Sequence, residues 1–260
     1  MADQLVVERA GAIATIVLNR PESHNAITLG MYQEIPSIVS DLDSDTSVKV
    51  VVVRGAGERS FASGADITEF EAVRGNARDA RQYNEYVARA EQALTTLRKP
   101  SLAMVHGYCI GGGCGLALAC DIRLADERAR FAITPAKLGL VYSLDSTKRL
   151  VDLVGPARAK WVLMSGKQLT ADDARSWGLV EYVLPAEELA GTTYELAAEI
   201  GTRAQFSVRA SKEIVTRIGA GQHADDEYTT NLRNSSFDTE DYAEGVRAFL
   251  GKRAPNFTWS

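Results

Sequence analysis

Four glycines in five residues, Gly111, Gly112, Gly113 and Gly115 around Cys114, lead into the small apolar run Leu116-Ala117-Leu118-Ala119-Cys120 ahead of Asp121. This pattern predicts the N-terminus of a buried helix whose first turn is bare backbone. A helix start leaves N–H groups without intrahelical partners and carries the positive end of the summed peptide dipoles. With no side chains in the way, such a turn can lie directly against a phosphate, carboxylate or enolate oxygen. Close packing of a helix on a sheet selects the same residues, so the run alone leaves packing and anion binding both open. It is not a dinucleotide fingerprint, because counting from Gly111 or Gly113 puts Leu116 or Leu118 at the last glycine position. A P-loop fails as well, since Gly166-Lys167 is followed by Gln168.

Three cysteines, Cys109, Cys114 and Cys120, surround the turn without the paired spacing of a zinc site. An odd count in a reducing compartment reads as buried thiols. A nucleophilic thiol would need a base, for which His106 is the only local candidate.

The elements that position the turn follow from periodicity. Leu5-Val6-Val7 and residues 12–18 are β-rich runs around Ala10-Gly11, a predicted hairpin closed by Asn19-Arg20-Pro21. Thr28 is a candidate N-cap for a helix to about Leu42, with Pro36 expected to kink it or shift its start. Residues 48–53 form an almost unbroken apolar run that reads as a strand buried on both faces, and residues 61–67 as a loop entering a helix. Residues 70–98 are charged and helical in character, interrupted at Gly75-Asn76, and suit a cover over a site or a plain surface helix. Strands at 101–105 and 122–125 bracket the glycine helix. Helices follow over 146–154, 156–165 and 170–177, the last stopped by Gly178, and the end of the chain reads as helices over 198–218 and 238–252. Short strands alternating with helices predict an α/β fold, with a core over 1–195 and a helical region over 196–260 that packs on a neighbour or back on the core.

The composition sets bounds on function. At 260 residues, 45% hydrophobic and 24% charged, the chain can bury a full core, and its net charge of −5 argues against nucleic-acid binding. Neither a signal-peptide core nor a membrane-length apolar run is present, so a cytoplasmic, non-membrane protein is expected.

Taken in register, several segments resemble the crotonase (enoyl-CoA hydratase/isomerase) superfamily. They are Asn19-Arg20-Pro21 with Asn25-Ala26, Phe61-Ala62-Ser63-Gly64-Ala65-Asp66-Ile67, Ser101 to Gly107, the glycine turn with Asp121, Phe131 with Leu138-Gly139-Leu140, Gly178-Leu179-Val180, and Ala248-Phe249 with Lys252-Arg253. The resemblance spans essentially the whole chain. It implies a spiral of ββα units with a helical C-terminal region, a homotrimer or dimer of trimers, and an acyl-CoA substrate. Coenzyme A then enters as part of the substrate, and no separate cofactor or metal is implied. It also implies that the backbone N–H groups of Ala65 and Gly112 form an oxyanion hole for the thioester carbonyl, within a CoA-binding stretch Ala65, Asp66 and Ile67. Arg59 would lie near the CoA phosphates, and Phe249 and Lys252 would reach the CoA of a neighbouring subunit. Read plainly, Arg59 and Lys252 are solvated charges and Phe249 is a helix packing contact.

The same comparison shows what is missing. Hydratases of this family carry one glutamate directly after Gly-Gly-Gly-Cys and another in Phe-x-x-Pro-Glu-x-x-Leu-Gly; those positions here are Gly115 and Pro135. Hydration needs a carboxylate to activate water and an acid to protonate the α-carbon, which glycine and proline cannot supply. Asp145 is the best substitute by position, with a helix-capping role as its alternative, and Glu69 and Glu85 are weaker ones. Residues 133–144 are similar to methylmalonyl-CoA decarboxylase, with Tyr142 matching its tyrosine, although Ala65 stands where that branch has a histidine. Decarboxylation suits the missing acids, because departing CO₂ takes the place of a proton. Tyr142 also reads as a buried aromatic whose hydroxyl finds a backbone partner. The expectation is an enzyme with decarboxylase-like or variant hydratase/isomerase chemistry, and the alternative is a catalytically inactive CoA-binding or scaffold protein of the same fold.

Overall fold

The structure, a computed structural model, describes residues 3–258. Ten strands and ten α-helices occur among those residues. The chain opens with the predicted hairpin, β1 (Leu5–Ala10) and β2 (Ile13–Leu18), followed by α1 (Leu29–Ser44), which Thr28 caps by accepting the Met31 N–H. This helix runs through Pro36 without ending. Then come β3 (Val50–Gly55), β4 (Ser60–Ala62), α2 (Phe70–Arg74) and α3 (Ala77–Thr96), the last capped by Asn76. Two similar turns follow: β5 (Ser101–Val105), β6 (Tyr108–Ile110) and α4 (Gly112–Ala119), then β7 (Ile122–Asp126), β8 (Arg130–Ala132) and α5 (Leu144–Ser165). In α5, Gly155 has φ +78° immediately before Pro156, the junction expected between two helices.

The repeat explains the architecture. In each turn the first strand joins a six-stranded sheet of order β1-β2-β3-β5-β7-β10 and the second joins a four-stranded sheet of order β4-β6-β8-β9. A helix then carries the chain to the next turn, which makes a spiral of ββα units. The strands β9 (Leu169–Thr170) and β10 (Tyr182–Leu184), with α6 (Ala171–Trp177) between them, complete the two sheets. The small sheet escapes the sequence reading, because strands of two or three residues are too short to display a two-residue period.

The large sheet is buried on both faces, as the apolar run at 48–53 predicts. Val51, Val53, Ala103, Val105 and Ala125 face one core with Ile35, Leu94 and Leu116. Val50, Val52, Leu102 and Leu124 face a second, smaller core, closed by Leu189 and Ala197 of α7 (Ala186–Gly201). The boundary expected at residue 195 therefore falls inside a helix that covers the sheet. The helix read over 198–218 is two helices, α7 and α8 (Gln205–Gly219). The Gln205 amide donates to the carbonyls of Ile200 and Arg203, which satisfies the end of α7 and turns the chain. The helix α9 (Glu227–Ser235) escapes the sequence reading because it is polar; its one local sign is the Asp226/Thr229 capping box. The last helix, α10, is Glu240–Leu250. No helix among the described residues is long and apolar enough to cross a membrane.

Candidate active site

The backbone between β4 and α2 meets the start of α4 through glycine. Gly64 takes φ +112° and Gly111 takes φ +52°, conformations that side chains disfavour. A Cβ at Gly64 would stand 3.3 Å from the Ile110 carbonyl oxygen, so the two segments touch through backbone. The Ala65 nitrogen lies 3.6 Å from the position a Cβ on Gly112 would take. Neither the Ala65 nor the Gly112 N–H donates to any acceptor among the described residues. Two donors without an acceptor among the described residues thus lie close together, one of them on the first turn of a helix.

Asp66 holds this spot in place. Its carboxylate accepts from Arg20 at 2.8 Å and from the Thr68 N–H and hydroxyl at 3.0 and 2.6 Å, and its own N–H donates to Ile27 O at 2.9 Å. The Thr68 hydrogen bond, helped by Arg20, keeps the carboxyl below its ordinary range. The side chain is engaged by the protein, so Asp66 contributes to the expected CoA stretch by fixing Ala65. Ile67 is 62% exposed at the pocket rim.

The glycines of the turn serve different ends. A Cβ at Gly113 would lie 2.6 Å from Ala62 O and 2.9 Å from Ala62 Cβ, so this glycine lets α4 pack on β4. Gly113→Ala is expected to destabilise the protein by about 1–3 kcal/mol in chemical denaturation, as overpacking does. A Cβ at Gly112 would lie 2.1 Å from the buried Tyr32 hydroxyl, and one at Gly115 would lie 2.1 Å from Glu91 Oε1 and 3.2 Å from the Tyr142 hydroxyl. Close packing and a bare backbone N–H therefore coexist within one turn.

Ala65, Gly111 and Gly112 line a pocket of about 220 Å³ whose walls include Phe70, Tyr83 and Val87 from α2 and α3, Pro135 and Leu140, and Tyr142 and Ser146. The charged segment 70–98 does cover the site. Arg74 stacks at 4.5 Å over Phe70 and 4.4 Å over Tyr83, without an ion-pair partner among the described residues. The Tyr142 hydroxyl donates to Gly111 O at 3.5 Å, and burial, with Glu91 close by, pushes its pKa well up, so it remains a phenol.

Glu91 is the only carboxyl side chain in this lining. It is 2% exposed, and its Oε2 accepts from the Ser146 hydroxyl at 2.5 Å and from Arg149 at 2.7 Å. Burial raises its pKa above the ordinary 4.5, against the opposing pull of Ser146 and Arg149. Its charged surroundings in the chain give it the look of a surface residue. The available signal is a stripe on α3, where Tyr83, Val87, Glu91 and Leu94 share one face, so that a glutamate sits among apolar residues.

The other expected residues lie elsewhere. Asp145 is exposed on the first turn of α5 and does not line the pocket, and the capping role belongs to Ser143, which accepts the Ser146 N–H. Glu69 accepts the Leu29 N–H at the start of α1, and Glu85 lies on the surface beside Arg89. Arg59 is exposed ahead of β4, outside the lining. Phe249 is 84% exposed on α10, and Lys252 follows that helix with φ +50°; neither approaches Ala65 and Gly112 within this chain's pocket. All three cysteines are buried free thiols away from the pocket lining. Burial pushes Cys109 well up and Cys120 to about 12, which opposes a nucleophilic role.

Comparison with known proteins agrees with this geometry. The family model described as enoyl-CoA hydratase/isomerase matches residues 8–259. The short-chain-enoyl-CoA hydratase of Clostridium acetobutylicum is 32% identical over 255 residues, covering 96% of each chain. The crotonyl-CoA hydratase of Syntrophomonas wolfei is 32% identical over 259 residues, covering 98% of each. A solved enoyl-CoA hydratase/isomerase family protein from Hyphomonas neptunium superposes with a TM-score of 0.97 at 36% identity, over 100% of this chain and 99% of its own. The likeness therefore takes in the C-terminal helices as well as the spiral.

Proposed function

The chain belongs to the enoyl-CoA hydratase/isomerase family, and from that premise we propose that it acts on an acyl-CoA thioester through an enolate whose oxygen is held by the Ala65 and Gly112 N–H groups. The observation that carries this reading is the pair of neighbouring N–H groups with no acceptor among the described residues. Fixed donors aimed at a developing oxyanion act without reorganisation, and inside a protein they are stronger than in water. Coenzyme A enters as part of the substrate, and Arg59, exposed outside the pocket lining, is the residue the family resemblance offers to its phosphates.

The pocket's single carboxyl group, together with Gly115 and Pro135, favours reactions needing at most one acid or base over two-carboxylate hydration. Double-bond isomerisation and decarboxylation both qualify. Arg74, a cation in the pocket wall without an acid partner among the described residues, supports an acyl group that itself carries a carboxylate, with Tyr142 helping to orient it. The exposed apolar residues Tyr242, Val246, Phe249 and Leu250 on α10 suit the trimeric or hexameric assembly that the family resemblance implies.

The test is incubation with crotonyl-, 3-enoyl-, malonyl- and methylmalonyl-CoA, following products by mass. Loss of CO₂ from a malonyl-type substrate or migration of the 3-enoyl double bond is expected, with hydration of crotonyl-CoA the slowest. Crotonyl-CoA hydration as the fastest reaction would overturn the one-carboxyl reading. Tight acyl-CoA binding with no conversion would favour the inactive binding protein.

A further inference from the structure

We propose that Glu91 is the proton-transfer group of this site, a carboxyl delivered from α3 into the space that a side chain at position 115 would fill. The inference rests on the enolate reading above and adds the group that moves the proton.

Three observations lead to it. The first is substitution in space: Glu91 Oε1 lies 2.1 Å from where a Cβ on Gly115 would stand, so the carboxyl and any longer residue at 115 exclude one another. Gly115 follows Gly112 by three residues on α4, which puts the carboxyl over the same helix face as the N–H donor. The second is orientation. Oε2 accepts two hydrogen bonds, from Ser146 and Arg149, whereas Oε1 has no partner among the described residues. A proton on this carboxyl therefore belongs on Oε1, the oxygen directed toward Gly115 and the Tyr142 hydroxyl. The third is support: Ser143 and Ser146 hydroxyls lie 2.7 Å apart, and with Arg149 they tie the carboxyl to the start of α5. These contacts hold the carboxyl in one orientation, with Oε2 engaged and Oε1 left toward Gly115.

The step balances without any further reagent. Oε1 of the carboxylate takes a proton from the α-carbon; the C–H pair moves into the C1–C2 bond, and the thioester carbonyl becomes an enolate bound by Ala65 and Gly112. Return of that proton to the α-carbon gives exchange, and its delivery to the γ-carbon gives isomerisation. After CO₂ loss, the same carboxyl protonates the enolate carbon. Burial favours the protonated form that this delivery requires.

The experiment follows hydrogen–deuterium exchange at the α-carbon of butyryl-CoA in D₂O, with butyryl-CoA affinity measured separately. The wild-type protein is expected to exchange above the uncatalysed rate, and Glu91→Gln to exchange about 10²-fold or more slowly at unchanged affinity and without the carboxyl limb of the pH profile. In the double variant E91A/G115E the carboxyl returns from α4, and exchange recovers relative to E91A. A folded E91Q that exchanges like wild type overturns the assignment. If E91Q does not fold, the double variant decides: recovery supports the assignment, and a folded but inert protein overturns it. A wild-type protein that neither exchanges nor converts any acyl-CoA sinks the enolate reading itself, and the role of Glu91 falls with it.

Discussion

Replacing Ala65 by proline is expected to lower kcat/KM for an accepted acyl-CoA by at least about 10²–10³-fold, the loss typical of deleting one oxyanion donor, and to weaken acyl-CoA binding because the ring Cδ takes the place of the thioester oxygen, while the fold stays largely intact. Proline removes a single N–H, and at this position that N–H takes part in no hydrogen bond of the protein. The preceding residue is Gly64, already at φ +112°, so the restriction that proline imposes on its predecessor falls where no Cβ can clash. The adjoining contacts, Ile27 N–H to Gly64 O at 2.8 Å and Asp66 N–H to Ile27 O at 2.9 Å, do not involve the deleted proton. Steady-state kinetics beside thermal unfolding checks the expectation. A kcat/KM unchanged in a folded A65P protein would remove Ala65 from the site.

Arg149→Met should destabilise the protein by about 3 kcal/mol near neutral pH, because it leaves the Glu91 carboxylate buried without its counter-charge. The pH dependence gives a second check, and its sign follows from the direction of the shift. Glu91 already titrates above 4.5, so the fold binds its proton more tightly than the unfolded chain does. Its favourable contribution is then complete below the unfolded carboxyl range and lost as pH rises through the folded value. Arg149 pulls that value down, so removing it moves the value further up and enlarges the loss at higher pH. Denaturant titrations of R149M and wild type should therefore converge as pH falls below the raised folded-state value of Glu91 and diverge as pH rises through it. A pH-independent gap would mean that Arg149 acts through packing alone.

The site was only partly legible in the chain. The glycine turn could be read as a helix start because that is a local property, whereas Ala65 and Tyr142 are marked only by the family resemblance. Asp145, suggested by the same resemblance, is turned outward by the helix, since Ser143 takes the cap and Ser146 faces inward to Glu91. Glu91 belongs to a segment whose charge pattern reads as surface. Only the packing of α3 against α4 brings its carboxyl to Gly115.

Sequence by itself determined five of the six strands of the large sheet and most helices, because burial periodicity, caps and breakers are local properties: Val50 to Val53 can be read as buried on both faces without knowing their neighbours. It also determined that positions 115 and 135 hold no acid. Which of the close-packed glycines serve packing, and which carboxyl group enters the pocket, only the tertiary structure decided. Those are facts about distances between segments remote in the chain, and a missing side chain reveals its purpose only through the atom that occupies the space it leaves.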